Sequence, residues 1–168
     1  MQHVAPVEEF PVEKWDDILA LNLSAAFHAS RVSIPYMRAQ GWGRIIHTAS
    51  AHGLVASPYK SAYCAAKHGI LGLSKTIALE CATDGITSNS ICPGYVLTAI
   101  VKKQIDDKIE ETGLTEDEVN EKFFLNKHPQ KEFVRPEDLG EVAAFLCSDA
   151  ARNITGTEIA VEAGWTMQ

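Results

Sequence analysis

Apolar residues recur at helical spacing from Trp15 through Ile18, Leu19, Leu23 and Phe27 to Met37, and the spacing predicts one long helix, bent or broken near Pro35. Phe10-Pro-Val-Glu-Lys supplies the proline and acidic residue that open such a helix, and Gly41-Trp-Gly43 closes it. Arg44 to Ser50 is a short, mostly apolar run that suits a buried parallel strand. From Ser61 to Cys81 the period is helical again, with Ala65, Ala66, Ile70, Leu71, Leu73, Ile77 and Ala78 on the inward side. Asp84-Gly85 signals a turn, and Ile86 to Cys92 is the next strand, ending at Pro93-Gly94.

Beyond it lies a polar, charge-rich region over 97–131, in which two short helices are expected, the second capped by Thr115 with acidic residues in its first turn. Arg135-Pro-Glu-Asp opens another helix with Val142, Ala143, Phe145 and Leu146 turned inward, and Glu158-Ile-Ala-Val-Glu makes a last strand. Helix, strand, helix, strand, polar insertion, helix and strand follow one another without repeat or linker. The expected fold is therefore α/β, a single domain over 1–168 with about three parallel strands and helices on the faces of the sheet.

Composition narrows this little. The 168 residues are 46% hydrophobic and 22% charged, as in an ordinary globular domain. The net charge of −7, with no cluster of Lys and Arg, argues against nucleic acid or an anionic membrane as partner. No apolar run is long enough to span a bilayer, and Met1-Gln-His-Val-Ala-Pro lacks the plan of a signal peptide, so a cytoplasmic protein is expected. Cys64, Cys81, Cys92 and Cys147 are widely spaced and read as buried, reduced thiols. Neither they nor the six histidines have metal-site spacing, and no metal is expected.

The candidate chemistry lies between Ser50 and Lys67. On a helix from Ser61, Tyr63 and Lys67 share one face. A phenol with a pKa near ~10 is a poor base at neutral pH unless its anion is stabilised, and a neighbouring ammonium and hydroxyl are groups that can do this. Alone, the pair also reads as a surface tyrosine beside a solvated lysine.

Ser50 stands thirteen residues before Tyr63 at the end of an apolar run. With Asn22 in Leu21-Asn-Leu-Ser and the segment Pro93-Gly-Tyr-Val-Leu-Thr98, this pattern resembles the short-chain dehydrogenase/reductase family, collinearly over essentially the whole chain. The run from Ser50 to Tyr63, with Gln2-His3 before it and Gly164-Trp165 after it, is similar to that of the bacterial 3-hydroxybutyrate dehydrogenases within the family.

The resemblance implies the C-terminal part of a Rossmann-type doubly wound parallel sheet with a helical lid over 97–131. It implies NAD-dependent oxidation of (R)-3-hydroxybutyrate to acetoacetate. Tyr63 would take the hydroxyl proton, Lys67 would lower the phenol's pKa and contact the nicotinamide ribose, Ser50 would hold the substrate oxygen, and Asn22 would keep a water in the proton relay. Pro93, Gly94, Val96 and Thr98 would meet the nicotinamide end of the cofactor. Gln2, His52, Lys60 and Gln104 would hold the carboxylate, and Tyr95 and Trp165 would wall the pocket. A homo-oligomer through the two long helices is implied as well.

His47, where the family usually has asparagine, Ala163, where it usually has glycine, and Tyr95, where tryptophan is commoner, depart from the pattern. The glycines never fall in the spacing of a pyrophosphate-binding turn, which in the family precedes the point where this resemblance starts. A truncated frame, a split protein and a non-catalytic remnant acting as an interaction module are the expectations this raises, with weak NAD binding and an exposed edge at Arg44 to Ser50. A short-chain reductase for another small hydroxy acid or ketone is the alternative enzyme reading.

Overall fold

The computed structural model describes residues 1–167, and Gln168 lies outside it. Three strands, β1 (Gly43–Thr48), β2 (Ile86–Pro93) and β3 (Glu158–Val161), form one parallel sheet in the order β1-β2-β3. Gly43 aligns with Ile86 and Thr48 with Ile91, while Ser90 aligns with Glu158 and Pro93 with Val161. All eight residues of β2 are buried, as a central strand covered on both faces requires.

Successive strand residues point to opposite faces, and the two isoleucines of β1 show which helices cover each. Ile45 packs with Ile77, Cys81 and Ile86, against Ile34, Met37 and Leu73. Those residues bring helices α2 (Ala25–Gln40) and α3 (Ser61–Glu80) onto one face. Ile46 packs on the other side with Ile91, Leu146, Ile159 and Val161, beneath the last long helix, Pro136–Cys147.

The N-terminal helix differs from its prediction. α1 (Val12–Leu19) runs into α2 through a widened π-helical turn at Ala20–Ser24, and Pro35 sits inside an uninterrupted α2. Ile34 and Met37 are packed against the Ile45 cluster, which holds the helix together across the proline. The irregularity falls instead around Asn22, whose side-chain amide donates to the Ile18 carbonyl at 3.1 Å. Such π turns inside helices concentrate at functional positions.

The polar insertion folds as expected into α4 (Ala99–Thr112) and α5 (Glu116–Val119), followed by a π turn at Asn120–Phe124 and a short turn at Leu125–Lys127. Thr115 forms a complete capping box with Glu118. These elements have a small core of their own in Ile105, Val119, Phe124 and Leu125. The remaining helix, Pro136–Cys147, is α6.

Some inward assignments fail. Phe145 and Ala65 are exposed, because each sits one position off the buried stripe marked by Leu146 and Ala66. All four cysteines are free, but only Cys81 and Cys92 are buried; Cys64 is half-buried and Cys147, at the exposed end of α6, is open to solvent. No helix of the described residues is long and apolar enough to cross a membrane.

Candidate active site

The site forms where the three strands end. Parallel sheets place ligands at their carboxyl edge, and here the chain leaves β1 at Thr48, β2 at Pro93 and β3 at Val161 on the same side. After β1, extended Ser50 caps a short 3-10 turn, Ala51–Gly53, its hydroxyl accepting from the His52 N–H at 3.1 Å. The turn fits tightly against α3: a Cβ on Gly53 would come within 2.9 Å of the Lys67 carbonyl oxygen. Lys60 then opens α3, and Tyr63 falls in its first turn.

Ser50, His52, Lys60 and Tyr63 line one cavity of about 200 Å³. Gln2, Gly94, Tyr95, Val96, Thr98 and Trp165 complete the predicted residues there, and Val101 of α4 joins them without having been singled out in the sequence. Ten predicted positions from five separate segments therefore meet around a single space. Its walls are aromatic. The His52 ring lies 5.0 Å from Trp165 and 6.1 Å from Tyr63, edge to face, while Tyr95 stacks on Trp165 at 5.6 Å with the planes 9° apart.

Other predicted residues lie elsewhere. Asn22 and Lys67 line a larger neighbouring cavity of about 370 Å³ that runs along β1 and α2. Pro93 is buried at the end of β2, and Gln104 sits on the exposed side of α4, outside the cavity. Thr98 caps α4, its hydroxyl accepting from the Val101 N–H at 3.4 Å. His47 is buried on β1 with Nε2 unpartnered among the described residues, and burial holds its pKa below the usual value.

No pattern along the chain singles out His128. It is fully buried, its Nδ1–H donating to the Glu132 carbonyl at 2.9 Å and its Nε2 accepting from the Tyr95 N–H at 3.4 Å. One tautomer satisfies both bonds, and the ring thereby ties the end of the helical insertion to the pocket wall.

Burial governs the electrostatics. It pushes the Tyr63 phenol up, opposed by the hydrogen bond from Ser50. It also draws the Lys67 ammonium down. Its Nζ donates to the Thr48 carbonyl at 2.8 Å and stands 5.6 Å from the Tyr63 ring centroid. His52 is lowered to about 4, first by burial and then by Lys60 and Lys127, and its Nδ1 has no hydrogen-bond partner among the described residues. At neutral pH the pocket thus holds a neutral phenol and a neutral imidazole beside Lys60, whose pKa burial draws down.

The family profile described as Enoyl-(Acyl carrier protein) reductase matches residues 1–166. Over all 168 residues the chain is 55% identical to a D-beta-hydroxybutyrate dehydrogenase of Rhizobium meliloti and 49% identical to one of Cupriavidus necator, spanning 65% of the length of each. A solved structure from Agrobacterium tumefaciens, described as a 2-deoxy-D-gluconate 3-dehydrogenase with bound NADP, superposes on the whole chain with a TM-score of 0.86 at 29% identity, the match covering 65% of that chain. With this fold and this extent of similarity, the chain belongs to the short-chain dehydrogenase/reductase family.

Proposed function

We propose that the protein of which these residues form the substrate side is an NAD-dependent dehydrogenase that interconverts (R)-3-hydroxybutyrate and acetoacetate. The observation that carries this reading is the composition of the 200 Å³ cavity: a hydroxyl–phenol pair at one end, and the Gln2, His52 and Lys60 donors in the same space. A small hydroxy acid needs both, one set for the reacting oxygen and the other for the carboxylate.

Enzymes of this family use a nicotinamide cofactor, which when bound supplies the hydride acceptor. The residues present fit its nicotinamide end. Half-buried Val96 lines the cavity, and its N–H has no hydrogen-bond partner among the described residues. Of the three protons on Lys67 Nζ, one is spent on the Thr48 carbonyl, which leaves donors for a ribose hydroxyl.

In this reading the Ser50 hydroxyl hydrogen-bonds the substrate oxygen, and Tyr63, having first released its own phenolic proton, receives that of the substrate hydroxyl as phenolate. Ser50 and Tyr63 line the same cavity, so both groups can meet one substrate oxygen. Lys67 and Asn22 share the neighbouring 370 Å³ cavity, which is roomy enough for water and gives the proton a way out. Gln104 reaches the carboxylate only on closure of α4, a lid movement of the kind that excludes water during reaction. Facing copies of α2 and α3 form the subunit contact, supported by the apolar groove that Phe27, Ile34, Leu73 and Ile77 line between those helices.

The test is NADH formation from (R)-3-hydroxybutyrate by the full-length protein. Turnover that falls by about a thousandfold in Tyr63→Phe, as loss of an acid–base group does, is the expected result. Equal rates in Tyr63→Phe, or no preference for 3-hydroxybutyrate over 2-butanol, would overturn the assignment.

A further inference from the structure

Ser50 and Tyr63 take the reacting oxygen in the 200 Å³ cavity, and Gln2, His52 and Lys60 take the carboxylate. With Gly94, Val96 and Thr98 given to the nicotinamide end of the cofactor, the side chains left on the wall are Tyr95, Trp165 and Val101. Val101 is the one of these three that belongs to the helical insertion, in the first turn of α4. Its backbone is fastened there, because its N–H donates to the capping hydroxyl of Thr98 at 3.4 Å.

The half-buried side chain of Val101 has the cavity on one side and the insertion's own core on the other. That core is Ile105, Val119, Phe124 and Leu125, and Tyr95 packs on it too, its ring 5.3 Å from that of Phe124. A β-branched side chain is stiff about its first torsion, and one backed by a packed cluster makes way for a larger ligand only by displacing that cluster. A 3-hydroxy acid whose oxygen and carboxylate are both held, and whose hydride points to the nicotinamide, has one group left to place. This is the alkyl end on the carbinol carbon, and the apolar wall is what remains to receive it.

We propose that Val101 is a specificity-determining residue: it meets the alkyl end of the substrate and restricts it to a methyl or ethyl group. This rests on the hydroxy-acid reading above. The insertion then selects short-chain 3-hydroxy acids by size, while the donors from the other segments select them by charge. Removing the two γ-methyl groups of Val101 enlarges the cavity on its apolar side and leaves every polar contact in place.

The test is kcat/KM of the full-length protein for (R)-3-hydroxybutyrate, (R)-3-hydroxypentanoate and (R)-3-hydroxyhexanoate in wild type, Val101→Ala and Val101→Phe. Val101→Ala is expected to raise the preference for hydroxyhexanoate relative to hydroxybutyrate by about tenfold, the scale on which an apolar pocket reads one or two carbons. Val101→Phe should shift the preference the other way, against hydroxypentanoate. A residue that only supported the insertion would scale the three substrates alike. Alanine is the better helix former, so Val101→Ala decides the matter even if Val101→Phe does not fold. Unchanged ratios in Val101→Ala overturn the proposal. If wild type turns over none of the three acids, the hydroxy-acid reading falls with it; if wild type turns them over and the ratios stay fixed, only the role of Val101 falls.

Discussion

Lys67 donates to the backbone carbonyl of Thr48 at 2.8 Å, so the ammonium is fastened to the last residue of β1. The charge is held in a place where burial disfavours it, as the lowered pKa records. Lys67→Met should therefore separate stability from activity. Turnover is expected to fall by about a hundredfold or more. The midpoint of urea unfolding should stay level or rise, by about 1 kcal/mol at most, because a desolvated charge is removed. A large loss of stability would mean that the lysine is chiefly a structural strut.

Ser50 provides the hydrogen bond that opposes the upward pull of burial on the Tyr63 phenol. In Ser50→Ala the phenol should become harder to ionise. The rising limb of activity against pH is expected to move to higher pH, with the greatest deficit at neutral pH. An unmoved limb in a folded Ser50→Ala protein would show that Tyr63 does not set the pH dependence.

His52 makes stability fall in acid. Its folded value of about 4 lies below the ordinary 6.5, so the unfolded chain binds more protons between those values and unfolding is favoured as pH falls through that window. The full effect is at most about 3 kcal/mol, reached below the folded value. His52→Gln should flatten this part of the curve of unfolding free energy against pH. The same slope in both proteins would place the acid sensitivity elsewhere.

Ala163 has a positive φ of 55°, a region that favours glycine. Its carbonyl accepts from the Gln130 N–H, so the conformation is fixed by the loop it joins. Ala163→Gly is expected to stabilise the fold or leave it unchanged, with strain relief of about 1 kcal/mol set against the added freedom of the unfolded chain. Denaturant midpoints decide it, and a clear destabilisation would contradict the strain.

Phe27 and Leu79 are 47% and 80% exposed, on the two helices proposed above to form a subunit contact. Phe27→Glu should lower the mass seen in sedimentation equilibrium while leaving the helical signal intact. An unchanged mass would move the contact to another face.

Much of this architecture was legible because apolar runs and glycine or proline punctuation coincide. Arg44 to Ser50 and Ile86 to Cys92 contain the observed strands to within two residues, and α3 starts where its period starts. The π turn at Ala20–Ser24 was not legible, since its apolar spacing hardly differs from that of a regular helix. Pro35 misled because a local rule predicts a break where the packing of Ile34 and Met37 maintains the helix. At the site, family resemblance pointed to Ser50, His52, Lys60 and Tyr63, which converge. His128 had no such pointer: it acquires its role only when the chain closes over Tyr95 and Trp165.

The π turn around Asn22 also makes the N-terminal helix sensitive to length in a way that substitutions would not reveal. A helix turns about 100° per residue, so removing one residue between Ala20 and Ser24 would let the segment relax to regular helix only by swinging α1 that far around its axis. Ile18, fully buried, would leave its place in the core, while Asn22 would lose the Ile18 carbonyl that orients it. A single-residue deletion there should cost more stability than Asn22→Ala, a comparison that thermal unfolding of the two variants would settle.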